Sequence, residues 1–338
     1  MITYPTLVKP ATIGVTASSS GVPTELHDIL KLACHRMNEK GFKTVCGETV
    51  WTQHKAKSAS ALVRADEFNT MMKDDNIHMI VPPLGGELLL EMIEYVDFEN
   101  IREKWVLGYS DVSVLLLAIT LKTGMATAHG PNLMELRGEF EDDTTRNWQS
   151  VLATKRGETV TQYASEKYQA KWQHHDSSSC VFHLTEPTHW RTVCSNNFHK
   201  IQGRLLGGCI DIIRHLIGTP YGDMKNFQQQ FIKGDKVIWY LENCELRTTD
   251  LRVSLVQMTL AGWFDQCAGI MFGRSYANTA VEQYTVEDVY EELANELQIP
   301  IFYDLDFGHV PPQMTLINGA FAEVEVQGGK GSIVQRFV

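Results

Sequence analysis

A serine stands in Gly108-Tyr109-Ser110-Asp111, between an apolar run at 105–108 and another at 112–123. A serine on a sharp strand-to-helix turn is lifted clear of its sheet, with its oxygen beside a helix N-terminus. The backbone N–H of Asp111 is then free to face a developing oxyanion. The motif is not G-x-S-x-G, and a helix N-cap is the ordinary use of such a serine. Gly85-Gly86 follows the apolar run 77–81 and Pro82-Pro83-Leu84. Glycines there let a backbone amide approach a substrate, or merely make a strand–helix turn. Glu242 follows the apolar stretch 237–241, the end of a strand where α/β sheets bind ligands. A carboxylate at that point can orient a histidine, or be a solvated charge. His309 lies in a loop ahead of Pro311-Pro312 and could act as general base toward Ser110. The chain has twelve histidines, and His129 in Ala128-His129-Gly130-Pro131 rivals it by position. His129 reads as a structural histidine at the edge of the site.

Positioning these groups takes a sheet. Short apolar strands are expected at 11–16, 42–45, 77–81 and 105–108, alternating with helices at 25–40, 58–74, 87–95 and 112–123. That alternation predicts an α/β fold with a mostly parallel sheet covered on both faces. Residues 139–200 are polar, with three tryptophans, and read as a small helix, edge strands and a long loop. Beyond them, strands are expected at 201–208, 237–241, 268–272 and 299–303, and helices at 209–217, 248–262 and 285–297. Residues 314–318 and 321–326 suggest a terminal hairpin. The division is 1–138 for an N-terminal nucleophile domain, 139–200 for a linker and substrate loop, and 201–338 for a C-terminal domain.

Composition excludes several functions. Hydrophobic residues make up 43% and charged residues 21%, an ordinary globular balance. A net charge of −11 lacks the basic footprint of a nucleic-acid binder and disfavours anionic membranes. Seven cysteines, an odd number without a CxxC pair, fit reduced thiols in a cytoplasmic protein. Neither a signal peptide nor a membrane span is legible. No HExxH, Walker A motif or dinucleotide G-x-G-x-x-G occurs, and no carboxylate pair has glycosidase spacing. No cofactor and no metal is expected.

These segments occur together in an order that resembles the LD-carboxypeptidase family of serine peptidases. The resemblance runs through LVKPATIGVTASSS, ALVRADEFNTMMKDDNIHMIVPPLGGE, VLGYSDVSVLLLAITLKTGMATAHGP, GRLLGGCIDIIRHLIGTP, VIWYLENCE and DLDFGHVPPQMTLINGAFAEV. It implies Ser110 as nucleophile, Glu242 as triad acid, His309 as base, and the Gly86 and Asp111 amides as oxyanion hole. It further implies a flavodoxin-like N-terminal domain, a C-terminal α/β domain, an active site in the cleft between them, and a homodimer.

Two positions depart from the family pattern. Cys209 stands where many relatives carry Asn, and reads as a packing residue near the site. Pro82-Pro83-Leu84 precedes Gly85-Gly86, where many murein-cleaving relatives place an arginine. The longer segment before the GRLLGG strand resembles the microcin C immunity branch, in which an aromatic side chain stacks on the nucleotide base. Trp190, Trp172 and Gly85 are therefore the expected substrate contacts. The expected reaction is amide hydrolysis of an aminoacyl-nucleotide, a small-molecule substrate. The alternatives are murein tetrapeptide cleavage in cell-wall recycling and a non-catalytic protein binding a small ligand in the same cleft.

Overall fold

The computed structural model describes residues 1–171, 173, 180–193 and 198–338. Among the described residues sixteen strands are numbered in chain order. The first sheet has the order β14-β5-β4-β3-β1-β2. It comprises β1 (Ala11–Val15), β2 (Phe42–Cys46), β3 (Met79–Val81), β4 (Trp105–Gly108), β5 (Thr127–His129) and β14 (Leu316–Asn318). β1 to β5 are parallel, and every residue of β3, β4 and β5 is buried. Burial on both faces is why these strands read as continuous apolar runs.

Helices α1 (His27–Glu39), α2 (Ala61–Lys73) and α3 (Ser113–Thr123) connect these strands. Ser60 caps α2 by accepting from Val63 N at 3.4 Å, and Gly124 ends α3 in the left-handed conformation. Nine consecutive residues of α3, Ser113 to Leu121, are buried. A helix apolar all round must be covered all round, and α3 packs on β5 of the first sheet and on strand β10 (Phe198–Cys209) of a second sheet.

The second sheet has the order β6-β16-β15-β10-β11-β12-β13-β9. Its parallel centre is β10 (Phe198–Cys209), β11 (Val237–Glu242), β12 (Cys267–Gly273) and β13 (Ile301–Leu305). Antiparallel partners flank it: β15 (Phe321–Gln327), β16 (Lys330–Arg336) and β6 (Thr159–Tyr163) on one side, β9 (Arg191–Thr192) on the other. β7 (Lys167–Tyr168) and β8 (Glu186–Pro187) make a separate ribbon. Segment 139–200 thus supplies both edges of the second sheet. No helix among the described residues is long and apolar enough to cross a membrane. No disulfide joins the six described cysteines.

Two expectations are corrected. Residues Leu89–Tyr95 wind as a 3-10 rather than an α-helix, with Leu89 N tied to the Asp111 carboxylate at 2.8 Å. The terminal hairpin is β15–β16, while β14 crosses to pair antiparallel with β5. Asn318 explains the crossing. Its Oδ1 accepts from Gly207 N at 2.9 Å and the Tyr240 hydroxyl at 2.8 Å, and its Nδ2 donates to Thr127 Oγ1 at 3.2 Å. One buried amide is satisfied by both sheets at once, which fixes where the chain passes between them.

Candidate active site

Ser110 follows β4 with φ +64°, the left-handed region that a side chain with Cβ rarely adopts. Local strain of this kind must be held by its surroundings. Gly85 is part of that hold. A Cβ there would lie 2.7 Å from Ser110 Cβ and 3.7 Å from Asp111 N, so only glycine lets the Pro82–Gly86 loop approach the serine turn. Ser20 N donates to Gly85 O at 3.2 Å, fastening this loop to the one after β1. The Asp111 carboxylate is buried and accepts from Ser19 Oγ and Leu89 N. Burial raises its pKa, opposed by those hydrogen bonds. The start of α3 is thereby locked to two loops of the first sheet.

The acid and the base come from the second sheet. Glu242 ends β11 and is fully buried. Its Oε2 accepts from His309 N at 3.0 Å and from His309 Nδ1 at 2.6 Å. Gly308 permits this closure: φ is +94°, and a Cβ would stand 2.3 Å from Glu242 Oε2. With Nδ1 donating to the carboxylate, Nε2 accepts from the Ser110 hydroxyl at 3.0 Å. Burial works against an imidazolium at His309, yet the charge of Glu242 and side-chain hydrogen bonds with Cys244 and Glu242 outweigh it and hold the pKa well above the ordinary range. Burial would raise the Glu242 pKa, but His309 overcomes it and lowers it. The Ser110–His309 separation is short enough for proton transfer without domain closure.

A cavity of about 250 Å³ opens beside Ser110 and His309. Leu26, Ile29, Leu84 and Met134 give it apolar walls; Tyr109, Asn132, Glu135 and Arg137 are its polar lining. The Tyr109 hydroxyl donates to Glu135 Oε1 at 2.5 Å, and burial raises its pKa well above the usual value. Arg137 went unnoticed in the sequence, being one exposed-looking cation after a helix-like run. Asn132 and Glu135 did carry a signal, because their spacing is that of a capping box, and they form one.

Cys209 ends β10 opposite Glu242 and is buried, its thiol pushed up by burial. Its N–H donates to Ser113 Oγ at 3.0 Å, joining the second sheet to α3. Cys209, Glu242 and His309 offer ligand atoms within 4.8 Å of one another. Two of the three are already engaged in the Ser110–His309–Glu242 chain.

Trp190 is not at this site. It is 2% exposed and packs in the core of the second sheet with Ile201, Leu205 and Phe302. Its Nε1 donates to Asp306 Oδ2 at 2.8 Å. Asp306 is fully buried and also accepts from Ser165 N, Ser165 Oγ and Arg274 Nη1 at 2.9, 2.7 and 2.6 Å. A buried carboxylate needs every donor available to it, and the indole N–H is one of them. The expectation of a free stacking surface at Trp190 is therefore corrected. Trp172 lies outside the described residues.

The family models for the LD-carboxypeptidase N-terminal domain and C-terminal domain match residues 13–130 and 202–324. The chain belongs to the LD-carboxypeptidase family. It is a carboxypeptidase-type serine hydrolase. A putative carboxypeptidase of Vibrio cholerae is 25% identical over 89% of this chain and 88% of its own. The microcin C7 self-immunity protein of Escherichia coli is 24% identical over 99% of this chain and 97% of its own. A solved structure under that protein's name, in complex with aspartyl sulfamoyl adenosine, superposes with TM-score 0.84 at 21% identity, covering 100% of both chains. The muramoyltetrapeptide carboxypeptidase of Oxalobacter formigenes gives TM-score 0.74 at 18% identity, covering 96% of this chain and 99% of the other. The two-domain α/β fold is shared with both solved structures.

Proposed function

We propose that Ser110, His309 and Glu242 form a catalytic triad that hydrolyses an amide bond through an acyl-enzyme. The observation that carries this reading is the unbroken hydrogen-bond chain from Ser110 Oγ through His309 to Glu242. Ser110 Oγ attacks the carbonyl carbon while its proton passes to His309 Nε2. The tetrahedral oxyanion lies against the Gly86 and Asp111 backbone amides. Its collapse breaks the C–N bond, and His309 returns the proton to the leaving amine. Water then repeats the sequence on the Ser110 ester and releases the acid. Glu242 holds the imidazole tautomer and stabilises the imidazolium between steps.

The substrate we assign is an aminoacyl-nucleotide of the microcin C type, whose cleavage detoxifies it. The near-complete mutual coverage with the Escherichia coli immunity protein supports this assignment, as does the missing arginine ahead of Gly85-Gly86. Trp190 no longer contributes to it. A second reading, murein tetrapeptide carboxypeptidase, is favoured by Arg137, because an arginine lining the nucleophile's cavity suits a terminal carboxylate. Both readings place the protein in the cytoplasm as a homodimer, which light scattering checks. The deciding experiment offers purified protein an aspartyl sulfamoyl adenosine and a murein tetrapeptide. Preferential cleavage of the acyl-nucleoside is expected. Release of terminal D-alanine without action on the nucleoside would transfer the protein to the second reading.

A further inference from the structure

His129 ends β5, the strand next to the one that delivers Ser110. Its ring is 1% exposed and lies among Tyr109, Tyr240 and Phe307, with centroid separations of 6.2, 5.4 and 6.5 Å. Neither ring nitrogen has a hydrogen-bond partner among the described residues. Glu242 Oε1 is likewise buried without a partner, while Oε2 is taken twice by His309. His129 Nε2 and Glu242 Oε1 lie 3.8 Å apart. A buried donor and a buried acceptor without other partners, facing each other just beyond hydrogen-bond distance, are a pair awaiting a small movement.

We propose that His129 is a positioning residue for Glu242: as the neutral Nε2–H tautomer it takes up Oε1 when His309 becomes cationic, and so keeps Oε2 on His309 Nδ1. The inference rests on the triad reading above. A carboxylate held through one oxygen can swing about its side chain; held through both, it cannot. Neutrality matters as well. The groups facing His129 are Glu242, His309, Tyr109 and Tyr240. Burial pushes its pKa down to about 4, against the attraction of Glu242, and burial keeps both phenols protonated. A neutral donor leaves the Glu242 charge available to the imidazolium, which a second cation would compete for.

The test compares His129→Gln with His129→Asn. The Gln amide nitrogen reaches the position of Nε2; the Asn amide stops at that of Nδ1. Both are polar and similarly buried. The readout is the second-order rate at which a fluorophosphonate phosphonylates Ser110, displacing fluoride, measured across pH together with Tm. The Asn variant is expected to react about 10²-fold more slowly, the cost of misplacing a catalytic group by about 1 Å. Its acid limb should move to lower pH, because His309 loses its fixed counter-charge. The Gln variant should recover most of the rate and the limb. Wild-type rate and limb in the Asn variant would overturn the proposal. So would equal losses in both variants with an unmoved limb and a matching fall in Tm, which is the signature of packing alone. A Ser110→Ala control that still reacts would instead remove the triad reading beneath it.

Discussion

Ser110 and Trp190 each carry a polar tip held by one hydrogen bond, Ser110 to His309 and Trp190 to Asp306. Ser110 sits on a strained turn at the mouth of a cavity, with its partner brought from the other sheet. Trp190 lies in a closed core, where its partner already has three further donors. The first bond is exposed to a reacting molecule and can be exchanged for bonds to it. The second anchors segment 139–200 to the loop that runs from Asp306 to His309. A reactive position is thus distinguished from a structural one by access and strain rather than by residue type.

The largest expected effect tests the first half of this contrast. Ser110→Ala should lower kcat by about 10⁴-fold or more, as loss of a triad nucleophile does. Its stability, from the urea midpoint, should stay within about 0.5 kcal/mol of wild type, because alanine keeps the Cβ that strains the turn. Retained turnover in a homogeneous sample would break the comparison.

Glu242→Gln comes next. The expected loss in kcat is on the order of 10²- to 10⁴-fold, because the amide can stabilise the wrong tautomer of His309. The sign of the pH effect follows from His309. Protonated His309 cannot accept the serine proton, so the rate falls as pH falls through its pKa. Glu242 holds that pKa up, so the wild-type acid limb should lie above that of an ordinary histidine. In the Gln variant the limb should move to lower pH. A limb unmoved in the kcat/KM profile would mean that another group is titrating.

Trp190→Phe sharpens the other half. It keeps the ring but removes the donor to buried Asp306. The expected cost is about 1–3 kcal/mol of stability, measured by denaturant unfolding. Activity per folded molecule should fall equally on the nucleoside and murein substrates. Selective loss on the nucleoside would restore a base-stacking role to Trp190.

Much of the first sheet was legible because its strands are buried on both faces and its helices end at Gly41 and Gly124. The four-residue run 105–108 before the serine matches β4 residue for residue. Segment 314–318 misled, since a short, largely apolar run beside a strand reads as its hairpin partner. Its pairing depends on Asn318 meeting donors from Gly207 and Tyr240, more than seventy residues away. Trp190 misled for a related reason: a tryptophan in a polar stretch looks exposed unless the buried carboxylate that receives its N–H is known.

By itself the sequence determined the residue types and their order: a serine after one apolar strand, a glutamate after another, a histidine in a glycine-bearing loop. Those are local features, set by strand burial and turn chemistry within a few residues. Only the tertiary structure decided that the three side chains meet, that Gly85 and Gly308 are the points of closest approach, and that His129 rather than Trp190 faces the reacting groups. These depend on two sheets packed across α3, which bring residues 110, 242 and 309 within hydrogen-bond distance, and no local rule carries information over such separations along the chain.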